Sequence, residues 1–331
     1  MSHYESLTFE FSGLIAAADF DRWKIETLRG KPDMTDQNEL KAWIESNYPL
    51  FWSLLNRKAQ RTLPKGLIEH IDVGSPPEIK IGRDNLIFFE RWLAELKILC
   101  GWKTVSDNYR PALSGVDSED QVAELFCEIV LCASVGRFSG KLQLHPPTEK
   151  RTHSDCLFNV NGVEIYGEVK RYIDPWPYIE KLDEVFNEKE PYTRSLAQRP
   201  SCEKPQHTAR ARSMDLRSKL QDVHRQFPQR SLNILFVFHS SITEKTQQYI
   251  TQALFGDSNL WSTDDPVLES DGLFSMNEWC NISAGYLAHV NRDSKIIYLL
   301  SWKNPRALTE IPREVFGGFP VKAFVQLAFS R

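Results

Sequence analysis

The chain has 331 residues, is 41% hydrophobic and 25% charged, and contains 18 Pro and 16 Gly. That make-up excludes disordered, collagen-like and disulfide-dominated classes. No run of eighteen apolar residues occurs, so no membrane span is expected, and the acidic opening MSHYESLTFEF lacks the basic start and apolar stretch of a secretory signal. The six cysteines form no CxxC pair and read as reduced thiols of a cytoplasmic protein. A formal net charge of −4 gives no general attraction to a polyanion, so any nucleic acid must be met by a local patch.

Residues 1–115 read as a helical accessory region. Phe9–Phe20, Glu39–Lys58 and Arg83–Cys100 carry apolar residues at three- and four-residue spacing, the period of a helix face. Loops at Gly30–Asp33 and Gly74–Pro77 separate them, and no chemical motif stands out. Residues 116–331 have a different rhythm. DSEDQVAELFCEIVLCASV predicts one helix with Asp117 or Ser118 as its N-cap. The segments KLQLH, DCLFNV and VEIYGEVK alternate as strands do. A long Pro-containing stretch, Tyr172–Thr208, reads as a substrate-contacting lid; its Trp176 and Tyr178 either cap the sheet edge, the commoner role, or stack on an unpaired base. A polar helix over about Ala209–Phe227, an apolar strand LNILFVFHS, a helix over roughly Thr243–Phe255, and a hairpin GYLAHV–NRDS–KIIYLLS complete the order. Helix, three strands, helix, strand predicts an α/β fold with a central mixed sheet flanked by helices.

The informative stretch is Ser154–Lys170. Asn161-Gly162 between two alternating runs is the strongest short-range hairpin signal and predicts a two-residue type I′ turn. That turn fixes the register: Val160 faces Val163, Phe158 faces Ile165, and Asp155 faces Glu168. The period of two puts Glu164, Tyr166, Glu168 and Lys170 on one face, and Val163, Ile165 and Val169 on the other. Facing side chains are about 4.5–5.5 Å apart at Cβ, where like charges destabilise the pair. A divalent cation between the acids would turn repulsion into ligation. Lys170 lies about 7 Å further along the same face, within reach of an attacking water. His153 would face Lys170 in this register and could touch the site.

Two more features bear on this hairpin. The helix over Val122–Val135 is apolar nearly all round, hence buried, yet carries Glu124 and Glu128 one turn apart. A buried carboxylate needs a cation, a donor or a proton, and Glu128 is favoured over Glu124 because it sits deeper in the apolar stretch. Further on, residues 194–230 hold nine Lys/Arg against three acids. Arg210, Arg212, Arg217, Lys219 and Arg225 among them form a candidate phosphate-binding face, although a solvated helix face is an equal alternative.

These residues together resemble the PD-(D/E)xK nuclease superfamily, the restriction-endonuclease-like fold. Its core runs helix with glutamate, strand with aspartate, strand ending E-x-K, helix, strand. Glu128 or Glu124 would match the helix glutamate, Asp155 the aspartate, and Glu168-Val169-Lys170 the E-x-K. Gln226 resembles a helix glutamine of several branches. Ser154 stands where the motif's proline is expected. The resemblance covers about residues 117–240 and implies a metal-dependent endonuclease. Asp155, Glu168 and the Val169 carbonyl would bind Mg²⁺ or Mn²⁺, Lys170 would orient the attacking water, and Glu128 or Glu124 would complete the site. DNA is the favoured substrate over RNA, a homodimer is open because members that cut both strands often pair, and bacterial DNA processing or phage defence is the expected setting. The alternative is a nuclease-fold module without turnover that binds nucleic acid or protein.

Overall fold

The computed structural model describes residues 36–72, 85–139, 141–149, 152–172, 209–239, 244–257, 266–290, 296–312 and 315. The expected helix Phe9–Phe20, the loops at 30–33 and 74–77, and the lid with Trp176 and Tyr178 lie outside the described residues. Among those described, no helix is long and apolar enough to cross a membrane.

Among the described residues, seven helices precede the sheet: α1 (Gln37–Asn47), α2 (Pro49–Leu54), α3 (Arg57–Arg61), α4 (Lys65–Asp72), α5 (Asn85–Cys100), α6 (Trp102–Ser114) and α7 (Glu119–Phe138). The helix expected over Glu39–Lys58 is broken into pieces. Pro49 opens α2 at its first position, where a missing N–H costs nothing, whereas inside a longer helix it would remove a bond. Helix α6 had no clear sequence signature and contains Pro111. Helix α7 starts as expected, with the Ser118 side chain accepting from the Gln121 N–H.

The strands are β1 (Leu142–Leu144), β2 (Cys156–Val160), β3 (Val163–Tyr172), β4 (Leu232–His239), β5 (Ala284–Val290) and β6 (Ile296–Lys303). They form one six-stranded sheet in sequential order. The pairs β3–β4 and β4–β5 are parallel and the others antiparallel, so the sheet is mixed and the fold α/β. Between β3 and β4 lie α8 (Ala209–Leu220) and a 3₁₀ turn, Val223–Gln226; α9 (Glu244–Phe255) follows β4. Gln226 therefore ends a 3₁₀ turn and is not on the helix expected to run to Phe227. The β2–β3 turn is the anticipated one: Asn161 and Gly162 both have positive φ, 53° and 86°, as a type I′ turn requires. Cys156 faces Gly167 and Val160 faces Val163.

Each face of the sheet is buried against helices. Ile165, Val169, Ile234, Phe236 and Tyr286 join one cluster with Leu40, Phe51, Phe89, Tyr109 and Ile129 from the helices before the sheet. Leu235, Val237 and Leu287, on the other face, pack with Leu216, Tyr249, Phe274 and Trp279. The described part of the helical region thus shares its core with the sheet, and the boundary expected near residue 115 is no break in packing. Its closeness to the sheet-bearing half is shown at Gly66 on α4. A Cβ there would lie 2.4 Å from the Ser118 carbonyl oxygen at the start of α7. Gly66→Ala should therefore push α4 off α7 and cost about 1–3 kcal/mol, read as a lower urea midpoint; an unchanged midpoint would mean the two helices are not in firm contact.

Candidate metal centre

The site forms where β2 and β3 leave their ladder. Asp155 is the residue immediately before β2, and its register carries it opposite Glu168. Its Oδ2 accepts a 2.7 Å hydrogen bond from the Val169 N–H, and its carbonyl accepts from the His145 N–H at 3.0 Å. The approach to Asp155 is clamped to the 3₁₀ turn. Thr152 donates to the Arg225 carbonyl at 3.0 Å, and Ser154, fully buried, donates to the Gln226 carbonyl at 2.7 Å. Ser154 thus anchors the segment with a hydroxyl that a proline lacks. Gln226 contributes this backbone carbonyl to the site's scaffold, while its side-chain Oε1 is buried without a hydrogen-bond partner.

Glu168 is only 1% exposed. One oxygen, Oε1, meets Lys170 Nζ at 2.9 Å; the other, Oε2, is buried with no hydrogen-bond partner among the described residues. Burial pushes its carboxyl up to about 7, despite the downward pull of Lys170. Burial, then the charges of Glu168 and Glu128, push the Asp155 carboxyl well above the usual carboxylate range, against Lys170 and the Val169 amide. For Lys170, burial works to discharge the ammonium, but Glu168 and Asp155 more than offset it and hold it above its usual value.

Helix α7 supplies the third carboxylate. Glu128 Oε1 lies 2.6 Å from His145 Nε2, and one ligand atom each from Glu128, His145 and Asp155 all fall within 4.8 Å of one another. Glu124, the alternative, is exposed and stays at the rim, near enough for its charge to favour the Lys170 ammonium. His153 does not turn to Lys170 as its register suggested. It pairs instead with Pro147, and its exposed ring donates from Nδ1 to the His145 carbonyl at 3.1 Å.

Two residues of this corner carried no sequence signal. His145 follows β1 with φ 44°, a left-handed conformation uncommon outside Gly, Asn, Asp and His. Tyr109, on α6, is fully buried and sets its ring edge-on to the His145 imidazole at 5.4 Å between centroids. Burial, then Cys132 and Glu128, push its phenol well up.

The basic residues behave differently from the expected phosphate-binding face. Arg212 is 3% exposed and stacks over Tyr249. Arg217 is drawn into an ion-pair cluster with Asp257 at 2.6 Å and Asp271 at 3.1 Å. Both are engaged within the fold: Arg212 is buried, and Arg217 is only 14% exposed at its side chain and held by the two acids. Arg210 pairs with the same Asp257, Lys219 pairs with Asp215 while lying over the Tyr172 ring, and Arg225 pairs with Asp222. These last three reach the surface.

Comparison of the chain with protein-family models, with curated proteins and with solved structures returned no match.

The raised Glu168 fixes the sign of a pH effect. With an ordinary value of 4.5 unfolded and about 7 folded, the folded state binds the proton more tightly between those limits. Stability contributed by the protonated form is full below 4.5 and lost as pH rises to 7. In EDTA, the wild-type melting temperature should fall from pH 5 to pH 8 by more than that of Glu168→Gln; equal falls would show that Glu168 is not the strained group. For the basic residues, Arg217→Ala should cost about 1–3 kcal/mol by removing its bonds to the Gln252 carbonyl, Asp257 and Asp271, while Arg210 stays paired with Asp257, and Arg225→Ala less than about 0.5 kcal/mol, both by urea denaturation. A neutral Arg217→Ala would contradict its structural role.

Proposed function

We propose that this protein is a divalent-metal-dependent endonuclease hydrolysing phosphodiester bonds of nucleic acid, DNA in preference to RNA, on a restriction-endonuclease-like core. The observation that carries the reading is Glu168 Oε2: a carboxylate oxygen, almost fully buried and unpartnered, beside two more carboxyl groups and one ammonium. Such an arrangement is costly in a purely structural hairpin and suits a cation. The order of elements adds support, since α7 with Glu128, β2 preceded by Asp155, β3 with Glu168 and Lys170, α8 and β4 follow the sequence of the superfamily's core.

The donor set fits Mg²⁺ or Mn²⁺, with Asp155, Glu168 and Glu128 as the oxygen ligands. When bound, the ion would supply Lewis acidity at the scissile phosphate and activate water. The chain's own groups do the rest. The Val169 amide holds Asp155 in place through Oδ2. Glu168 fixes the Lys170 ammonium through Oε1, leaving Nζ the donor capacity to orient an attacking water and to offset charge developing on the phosphate. Arg225 and Arg210, exposed on the surface, are the members of the basic set available to the backbone of a substrate.

The test is a cleavage panel of plasmid, linear duplex, single-stranded, junction and RNA substrates in Mg²⁺ and in Mn²⁺. Cleavage should require the ion and stop in EDTA, and Asp155→Ala, Glu168→Ala and Lys170→Ala should each lower the rate by about 10²-fold or more. Nucleic-acid binding that ignores EDTA, with no cleavage of any substrate, would make the chain a binding module instead.

A further inference from the structure

The nitrogen in the site sets it apart from a carboxylate-only centre. We infer that His145 is a metal ligand and that it makes the centre selective for Mn²⁺ over Mg²⁺, a conclusion that deepens the metal-site reading but does not need nuclease turnover to hold.

The imidazole is placed for this from three sides. Its Nε2 edge lies against Glu128 Oε1 at 2.6 Å, and the ligand atoms of Glu128, His145 and Asp155 share one small volume. The backbone of His145 is tied at both ends, its N–H to the Asp155 carbonyl and its carbonyl to the His153 ring. Tyr109, fully buried, closes on the ring edge-on. The residue also sits in the left-handed region at φ 44°, which histidine enters more readily than most non-glycine residues. An imidazole fixed from three sides and facing two carboxylates is a good ligand.

Besides the three-residue set, Glu168 stands opposite Asp155 in the hairpin register, and its Oε2 is buried with no hydrogen-bond partner among the described residues. The centre therefore sets one imidazole among carboxylates. Mg²⁺ is hard, takes oxygen ligands and gives up its waters reluctantly. Imidazole nitrogen is a ligand of first-row transition ions such as Zn²⁺, Fe²⁺ and Ni²⁺; Mn²⁺ belongs to that row and also takes the carboxylate and water ligands that suit Mg²⁺. Replacing one oxygen position by nitrogen thus favours Mn²⁺ and adds little for Mg²⁺.

The experiment uses the full chain and reads metal binding directly. Calorimetric titration with Mn²⁺ and with Mg²⁺ is run on wild type and on His145→Asn. Asparagine tolerates the left-handed backbone and offers an oxygen in place of nitrogen. Wild type should bind Mn²⁺ far more tightly than Mg²⁺. His145→Asn should lose at least about tenfold in Mn²⁺ affinity while Mg²⁺ affinity moves by less than about threefold. Pulsed electron paramagnetic resonance of wild type loaded with Mn²⁺ should show coupling to an imidazole ¹⁴N, which needs no variant. Absence of that coupling, or a substitution that weakens both ions equally, overturns the inference. Selective, nitrogen-coupled Mn²⁺ binding without cleavage of any nucleic acid sustains it and removes the nuclease reading; cleavage supported equally by both ions, with no nitrogen coupling, does the reverse.

Discussion

Three carboxyl groups and one ammonium occupy a corner of this protein from which water is largely excluded. Glu128, Asp155 and Glu168 converge there, and Lys170 satisfies only one oxygen of one of them. Desolvation and mutual repulsion raise the Asp155 and Glu168 carboxyls together, which is the response of crowded, desolvated anions that one ammonium only partly offsets. A fold that only needed to be stable would replace such a group with apolar side chains at no loss. The proposed cation would account for its retention, since a doubly charged ion reverses the sign of the interaction.

The rest of the architecture serves to hold that corner in place. The Asn161-Gly162 turn sets which residues of β2 and β3 oppose each other. Beyond the end of the ladder, the Asp155 carboxylate takes up the Val169 amide, so this side chain itself continues the strand pairing. Ser154 and Thr152 tie the approaching segment to the 3₁₀ turn after α8. From the other side, α7 carries Glu128 within its mostly buried stretch, and α6 delivers Tyr109 against His145. Helices before residue 115 are thus built into the site's wall and into the core beneath it.

The sequence made the hairpin and its consequences legible because they depend on short-range rules. Turn type fixes register, register fixes which acids face each other, and period two fixes the face; Asp155, Glu168 and Lys170 follow from these alone. Glu128 was favoured over Glu124 for its depth in an apolar helix, and the structure keeps Glu128 inside and Glu124 at the rim. His145 was not legible, since its role depends on a backbone excursion after β1 that no periodicity announces. Tyr109 was hidden for a different reason: it lies on a helix interrupted by Pro111, in a region without chemical motifs, and approaches the site through tertiary packing. The basic helix misled because charge type says nothing about partners. Arg212 and Arg217 are spent on an aromatic ring and on Asp257 and Asp271, acids that lie some forty to fifty positions further along the chain.

The most direct test of the central claim is a crystal structure of the protein grown with Mn²⁺, with anomalous scattering recorded to locate the ion. The account predicts an anomalous peak within about 2.3 Å of carboxylate oxygens of Asp155 and Glu168, with Lys170 Nζ beside the ion's open side. A corner in which no peak appears, and in which Glu168 Oε2 is instead satisfied by ordered water or a protein donor, would contradict it.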